Sequence, residues 1–180
     1  MNLLHDIPAG DPQKHINVII EIPIGGRIKY EYDKGLQIIK ADRFLYTAFT
    51  YPFNYGFIPG TWSEDEDPMD IVVLSSEPLH PGTLIECRLV GELATEDEEG
   101  PDAKLIALPK AKVDPMFAQY NELSELPEAI TNKIKHFYEN YKSIEPGKWV
   151  KVIDFVDRAT AIKDLEEAIA RYQKKFPKHG

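Results

Sequence analysis

The stretch Glu64-Asp65-Glu66-Asp67-Pro68-Met69-Asp70-Ile71-Val72-Val73-Leu74 changes character at its centre. Five carboxylates in seven residues run straight into an apolar, β-branched segment. Ile71 to Leu74 reads as a short buried strand, because Ile and Val suit a packed, pleated surface. Glu64 to Asp70 is then a charged turn on the lip of a core strand. Like charges repel, and any that leave water need a partner. The residues alone allow two readings, a solvated acidic loop or a cluster that holds divalent cations.

On either side of this turn the chain is mostly short strands. Ile16 to Ile22 is β-branched and ends at Pro23 and Gly25-Gly26; Glu21 interrupts it and, on alternation alone, is an exposed edge residue. In Ile28-Lys29-Tyr30-Glu31-Tyr32 the two charges share one face and the apolar residues the other. Asp33-Lys34-Gly35 turns this strand back through Leu36 to Lys40 as a hairpin. Tyr46, Phe49, Tyr51, Phe53, Tyr55 and Phe57 form an aromatic segment broken by Pro52, Gly56, Pro59 and Gly60. Thr83 to Glu92 reads as a long twisted strand, Thr95 to Gly100 as a second acidic loop, and Lys104 to Leu108 as a strand. Leu3, Leu4 and Ile7 suit a short helical turn resting on the body.

Helices come late in the chain. Pro127 suits a first helical turn, and Ile130, Ile134, Phe137 and Tyr141 recur at helical spacing. Lys148 to Phe155 is one more strand. Asp157 is placed to cap a last helix with the stripe Ile162, Leu165, Ile169, Tyr172 and Phe176. Many short strands followed by two helices predict an α+β domain: a closed or nearly closed antiparallel five-stranded β-barrel with additional short strands and two main α-helices packed outside. With 180 residues, no repeat and no linker, one domain over 1–180 is expected.

The net charge of -9 argues against a nonspecific nucleic-acid or membrane binder, yet 21 Lys and Arg leave room for a local anion site. The lone cysteine, Cys87, has no internal partner, which points to a cytoplasmic chain with Cys87 as apolar filler. Met1 to Asp6 lacks the basic-then-apolar pattern of a signal peptide.

Carboxylates recur at 64–70 and 96–102, interleaved along the chain with Lys29, Arg43, Tyr51, Tyr55, Lys104, Tyr141 and Lys142. Carboxylates suit hard ions such as Mg²⁺, while Lys, Arg and tyrosine hydroxyls suit phosphate oxygens. Together they describe phosphoryl transfer between metal ions and cationic clamps. A calcium loop beginning at Asp65 fails, because its glycine position is Asp70 and its twelfth residue is Ser76. There is no glycine-rich phosphate loop, and histidines 5, 15, 80, 136 and 179 show no zinc spacing. Two alternatives stay open on the residues: another metal-dependent phosphohydrolase acting on nucleotides, and a noncatalytic nucleic-acid-binding barrel.

The ordered pieces of the chain resemble the soluble family I inorganic pyrophosphatases. The family signature Asp-x-Asp-Pro-x-Asp is matched by Asp65-Glu66-Asp67-Pro68-Met69-Asp70. Flanking matches are Ile20-Glu21-Ile22-Pro23, Lys29-Tyr30-Glu31, Asp42-Arg43-Phe44, Tyr51-Pro52-x-Asn54-Tyr55-Gly56, Asp97 to Lys104, and Tyr141-Lys142 with Gly147-Lys148-Trp149. The short length resembles the bacterial type. Glu66 stands where a small turn residue, often glycine, is common, and Ile24 to Arg27 also varies.

The resemblance implies an OB-like barrel and the hydrolysis of pyrophosphate to two orthophosphates by direct attack of metal-activated water. It implies several Mg²⁺ ions per site, with Mn²⁺ or Zn²⁺ able to substitute. Asp65, Asp70 and Asp102 would hold an activating pair, Asp97 and Asp102 a further ion, and Glu31 another; Glu21 would be a supporting ligand. Asp67 would act as general base or orient the attacking water. Lys29, Arg43, Tyr141 and Lys142 would grip phosphate, assisted by Tyr55 and Lys104, with Tyr51 supporting Arg43 from behind. Glu98 matches a family position whose alternative is a plain surface role. The assembly implied is a homohexamer of two stacked trimers, with no nucleic-acid or membrane partner.

Overall fold

Strand β2 (His15–Ile22) pairs along one edge with β5 (Asn54–Phe57) and along the other with β7 (Leu84–Asp97), and this double pairing closes the sheet. The circuit runs β2, β5, β6 (Asp70–Val73), β8 (Gly100–Pro109), β7 and back to β2 in a computed structural model that describes residues 1–98 and 100–177. Glu99 and His179 lie outside the described residues. Four of the five pairings are antiparallel; β6 and β8 run parallel, with Ile71 opposite Leu105 and Val73 opposite Ala107. The five strands form the expected OB-like barrel. Closure leaves no free edge within the ring. Strands β1 (Gly10–Asp11) and β9 (Val150–Val156) extend it at β2 and β7, and β3 (Ile28–Asp33) with β4 (Ile38–Phe44) form a separate hairpin.

The opening stretch behaves as its two halves require. Ile71, Val72 and Val73 are fully buried, whereas Glu64 to Asp67 are exposed. Alternation sends the strand's side chains into two cores. Ile71 and Val73 join Val18, Ile20 and Leu105 in a core completed by Ala161, Ile162 and Leu165 of helix α2 (Arg158–Lys175). Val72 joins Ile22, Ile106 and a set of aromatic residues around Ile134, Phe137 and Tyr138 of helix α1 (Glu128–Asn140). Both helices start where their sequence signals place them: Pro127 precedes α1, and the Asp157 carboxylate accepts from the Thr160 N–H at 2.8 Å. Where β5 crosses β2 the backbones nearly touch. A Cβ on Gly56 would stand 1.9 Å from the Ile19 carbonyl oxygen, so only glycine fits there.

Two expectations are corrected. Thr95 to Asp97 are not loop: β7 continues to Asp97 and pairs with β8 as far as Gly100, so Asp97 and Asp102 stand on rigid strands. Glu21 is not an exposed edge residue. It is the extra residue of a β-bulge, since Ile20 opposes Gly56 and Ile22 opposes Tyr55, and it is buried. A second bulge makes Asp42 the extra residue of β4 between the Lys29–Arg43 and Tyr30–Ala41 pairs. Both bulges re-aim side chains toward one cleft.

Candidate active site

That cleft has a volume of about 590 Å³, and every site residue singled out from the sequence lines it. It is framed by the bulge of β2, the β3–β4 hairpin, the acidic turn before β6, the β7–β8 ribbon, and the segment after α1. Residues as far apart in sequence as Glu21 and Lys148 therefore share one cleft.

The carboxylate side is built around Asp70. The Lys104 ammonium bonds both Asp70 and Asp102, at 2.7 Å to Asp102 Oδ1, and is itself buried. This settles Lys104, which taken alone reads as a solvated surface lysine. Burial opposes its charge, but Asp70 and Asp102 hold its pKa well above the ordinary value. The acids around it shift upward as well, toward their protonated forms. Burial, then the charge of Asp70, pushes Glu21 up to about 8 while its Oε1 accepts from the Tyr32 N–H at 2.6 Å. Partial desolvation of Asp65, which is otherwise exposed, and burial of Asp102 raise both carboxyls, again with Asp70 contributing. Burial, then the charge of Asp70, keeps the Tyr55 phenol neutral.

The cationic side faces these acids. Lys142 pairs with Asp97 at 3.0 Å and lies 3.8 Å from Glu98. Lys148 also bonds Glu98. Against the cost of burial, the Lys148 bond and the charge of Lys142 bring Glu98 down to about 2, so its exposed-surface reading gives way to a place in the site. Lys29 pairs with Glu31 on the same face of β3, as strand alternation requires. Arg43 Nη1 donates to Asp42 at 2.6 Å, and its Nε lies 2.9 Å from Glu145. Behind them Tyr51, Phe53, Tyr55, Phe137, Tyr138 and Tyr141 pack ring against ring, with Phe137 and Tyr141 stacked at 4.9 Å. Tyr51 belongs to this aromatic layer, while the carboxylates that hold Arg43 are Asp42 and Glu145.

Sequence reasoning did not single out Lys34, Asp42, Tyr138, Glu145 or Lys148 as site residues. Asp42 and Lys148 sit inside quoted motifs, so a signal existed for them. Tyr138 is one residue off the helical stripe. Glu145 and Lys34 carry no signal, because each is defined by a partner distant in sequence.

The donor set suits hard divalent ions. It is made of carboxylate oxygens, several already strained toward protonation by burial and mutual repulsion, and a cation would relieve both. Among the described residues, no three acidic, histidine or cysteine side chains converge as a closed metal shell, and the Lys104 ammonium occupies the space between Asp70 and Asp102.

An OB-like barrel with oxygen donors facing a wall of Lys and Arg defines a metal-dependent phosphohydrolase. The family model described as inorganic pyrophosphatase matches residues 18–173. An inorganic pyrophosphatase of Aeropyrum pernix is 53% identical over 166 residues, covering 92% of this chain and 94% of that protein. One from Campylobacter jejuni is 49% identical over 170 residues, covering 94% and 99%. The solved Helicobacter pylori inorganic pyrophosphatase superposes with a TM-score of 0.90 at 45% identity, over 93% of this chain and 99% of that one. That of Thermus thermophilus gives 0.90 at 44% identity, over 95% and 99%. The chain belongs to the inorganic pyrophosphatase family.

Proposed function

We propose that the cleft hydrolyses inorganic pyrophosphate to two orthophosphates with Mg²⁺ as the working ion, and that Mn²⁺ or Zn²⁺ substitute for it. The observation that carries this reading is the meeting, in one cleft, of Asp65, Asp70, Asp97 and Asp102 with Lys29, Arg43, Lys104 and Lys142. Asp65, Asp70, Asp97, Asp102, Glu31 and Glu21 hold the ions. When bound, these ions neutralise phosphate charge and lower the pKa of the attacking water.

The chain's own groups do the rest. Arg43, Lys29, Lys142 and Tyr141 hold the two phosphoryl groups, with Tyr55 and Lys104 beside them, and gain strength as charge moves onto the leaving oxygen. Asp67 orients the water and takes its proton. The water oxygen forms the new P–O bond as the bridging P–O bond breaks, and that electron pair leaves with the second phosphate. Asp42 and Glu145 fix Arg43, and Lys148 fixes Glu98.

The substrate is the small anion rather than a nucleotide. Tyr51, Tyr55, Tyr138 and Tyr141 are each no more than 8% exposed, so the aromatic layer presents hydroxyls and edges instead of a free face on which a base stacks. Phosphate release from pyrophosphate, ATP and a simple phosphomonoester, each with and without Mg²⁺, tests the proposal. Magnesium-dependent turnover of pyrophosphate far above the other two is expected; preference for either of the others would sink it.

The chain acts as one domain over 1–180, in the cytoplasm, where its single reduced cysteine is at home. It assembles as a homohexamer of two trimers. The resemblance to the bacterial type supports this, as do exposed Phe44, Tyr46 and Ile153. Sedimentation velocity decides it.

A further inference from the structure

We propose that Lys34 is a positioning residue that sets the orientation of the Asp67 carboxylate. This rests on the assignment of Asp67 as the proton acceptor. Lys34 sits at the tip of the β3–β4 hairpin, and its ammonium reaches across the mouth of the cleft to the acidic turn. There it bonds Asp67 Oδ1 and donates to the Glu66 carbonyl oxygen at 2.7 Å. An ammonium has three donors and no acceptor, so two oxygens of one turn fix both the lysine and the turn. The same ammonium stands 5.0 Å from the centroid of the Trp62 ring.

The ring carries a second cation. Lys175, in the last turn of α2, stands 4.4 Å from the Trp62 centroid and pairs with Glu66 Oε1 at 2.7 Å. Glu66 has φ +67°, the left-handed conformation that favours glycine, and its carboxylate pairs with Lys175 of α2 and does not line the cleft. The glutamate at position 66 thus faces α2 rather than the acids of the cleft. Trp62 adds two backbone ties to that helix, its N–H donating to the Ala168 carbonyl at 3.0 Å and its carbonyl accepting from Arg171 Nε at 3.0 Å. Trp62, Glu66 and Asp67 are thus held between the hairpin tip and α2.

Stability is not what the Lys34–Asp67 pair supplies. The two side chains are 40% and 60% exposed, and an ion pair so open to water contributes little to folding. Its effect is directional. With Oδ1 held toward the hairpin, the direction of Oδ2, the oxygen that takes the proton, is fixed relative to the water.

Steady-state kinetics with Mg²⁺ and pyrophosphate test this in a double-mutant cycle. Lys34→Met is expected to lower kcat about fivefold with KM within about twofold, and Lys34→Arg to restore kcat to within about twofold. In an Asp67→Asn background, Lys34→Met should cost nothing further, because the carboxylate it orients is gone. A raised KM at unchanged kcat would make Lys34 a substrate-binding cation and overturn the proposal. So would an equal loss in both backgrounds, or no loss in either. If Asp67→Asn is severely impaired while Lys34→Met is not, only the role of Lys34 falls. If Asp67→Asn turns over normally, the assignment of Asp67 falls, and the role of Lys34 with it.

Discussion

Arg43 Nε lies 2.9 Å from Oε1 of Glu145, a carboxylate whose side chain is only 9% exposed. The two residues come from the hairpin strand β4 and the loop after α1, and nothing in either segment announces the other. A guanidinium with five donors can hold phosphate with one edge only if another group fixes the opposite edge. Asp42 accepts a hydrogen bond from Nη1, and Glu145 stands beside Nε as an ion-pair partner. Glu145→Gln is therefore expected to lower kcat/KM for pyrophosphate about tenfold, mainly through KM, because the cation is retained but less well aimed. Unchanged kcat/KM would show that Asp42 alone aligns Arg43.

Asp67→Asn separates proton transfer from metal binding. The amide keeps the size of the side chain and loses its capacity as a base. Turnover should fall by roughly 10²- to 10⁴-fold, the range of general base catalysis. The Mg²⁺ concentration for half-maximal stabilisation, read from thermal shifts, should change far less. Normal turnover, or a loss accounted for wholly by failed metal binding, contradicts the assignment.

Lys104→Met tests the ammonium between Asp70 and Asp102. Removing one partner of a buried charge cluster leaves the others uncompensated, so the metal-free protein should lose about 3 kcal/mol of stability. Added Mg²⁺ should then raise the melting temperature more in the variant than in the parent, since the ion replaces the missing positive charge. An equal magnesium shift in both would mean that Lys104 and the ions do not address the same carboxylates.

Glu92 gives a pH dependence away from the cleft. It is buried on β7, its Oε2 has no hydrogen-bond partner among the described residues, and burial followed by the Asp164 carboxylate pushes it up to about 7. A carboxyl raised in the folded state favours folding when protonated. Its contribution is fully present below the ordinary value of 4.5 and is lost as pH rises through about 7. Glu92→Gln should match the parent near pH 4 and be more stable above pH 8, by up to roughly 3 kcal/mol. A constant difference across that range would refute the titration.

The chain's own order of residues made most of its strands, both main helices and the chemical types in its site legible. Ile71 to Val73 read as buried, Asp157 as a cap, and the mixture of carboxylates, cations and phenols suited an anion held with metal ions. These are local properties: alternation, helical spacing, capping and side-chain chemistry are all readable within a few residues. Tertiary structure decided how those groups face one another. The bulges that turn Glu21 and Asp42 toward the cleft are properties of the pairing between two strands, so no periodicity within one strand reveals them. The long β7–β8 ribbon, where the acidic content suggested a loop, is likewise a matter of pairing. The ties of Glu145 to Arg43, of Lys104 to Asp70, and of Lys34 to Asp67 each span at least 33 residues. A Lys, Arg or Glu side chain is equally content in water, and only the closing of the barrel determines which of them lose it.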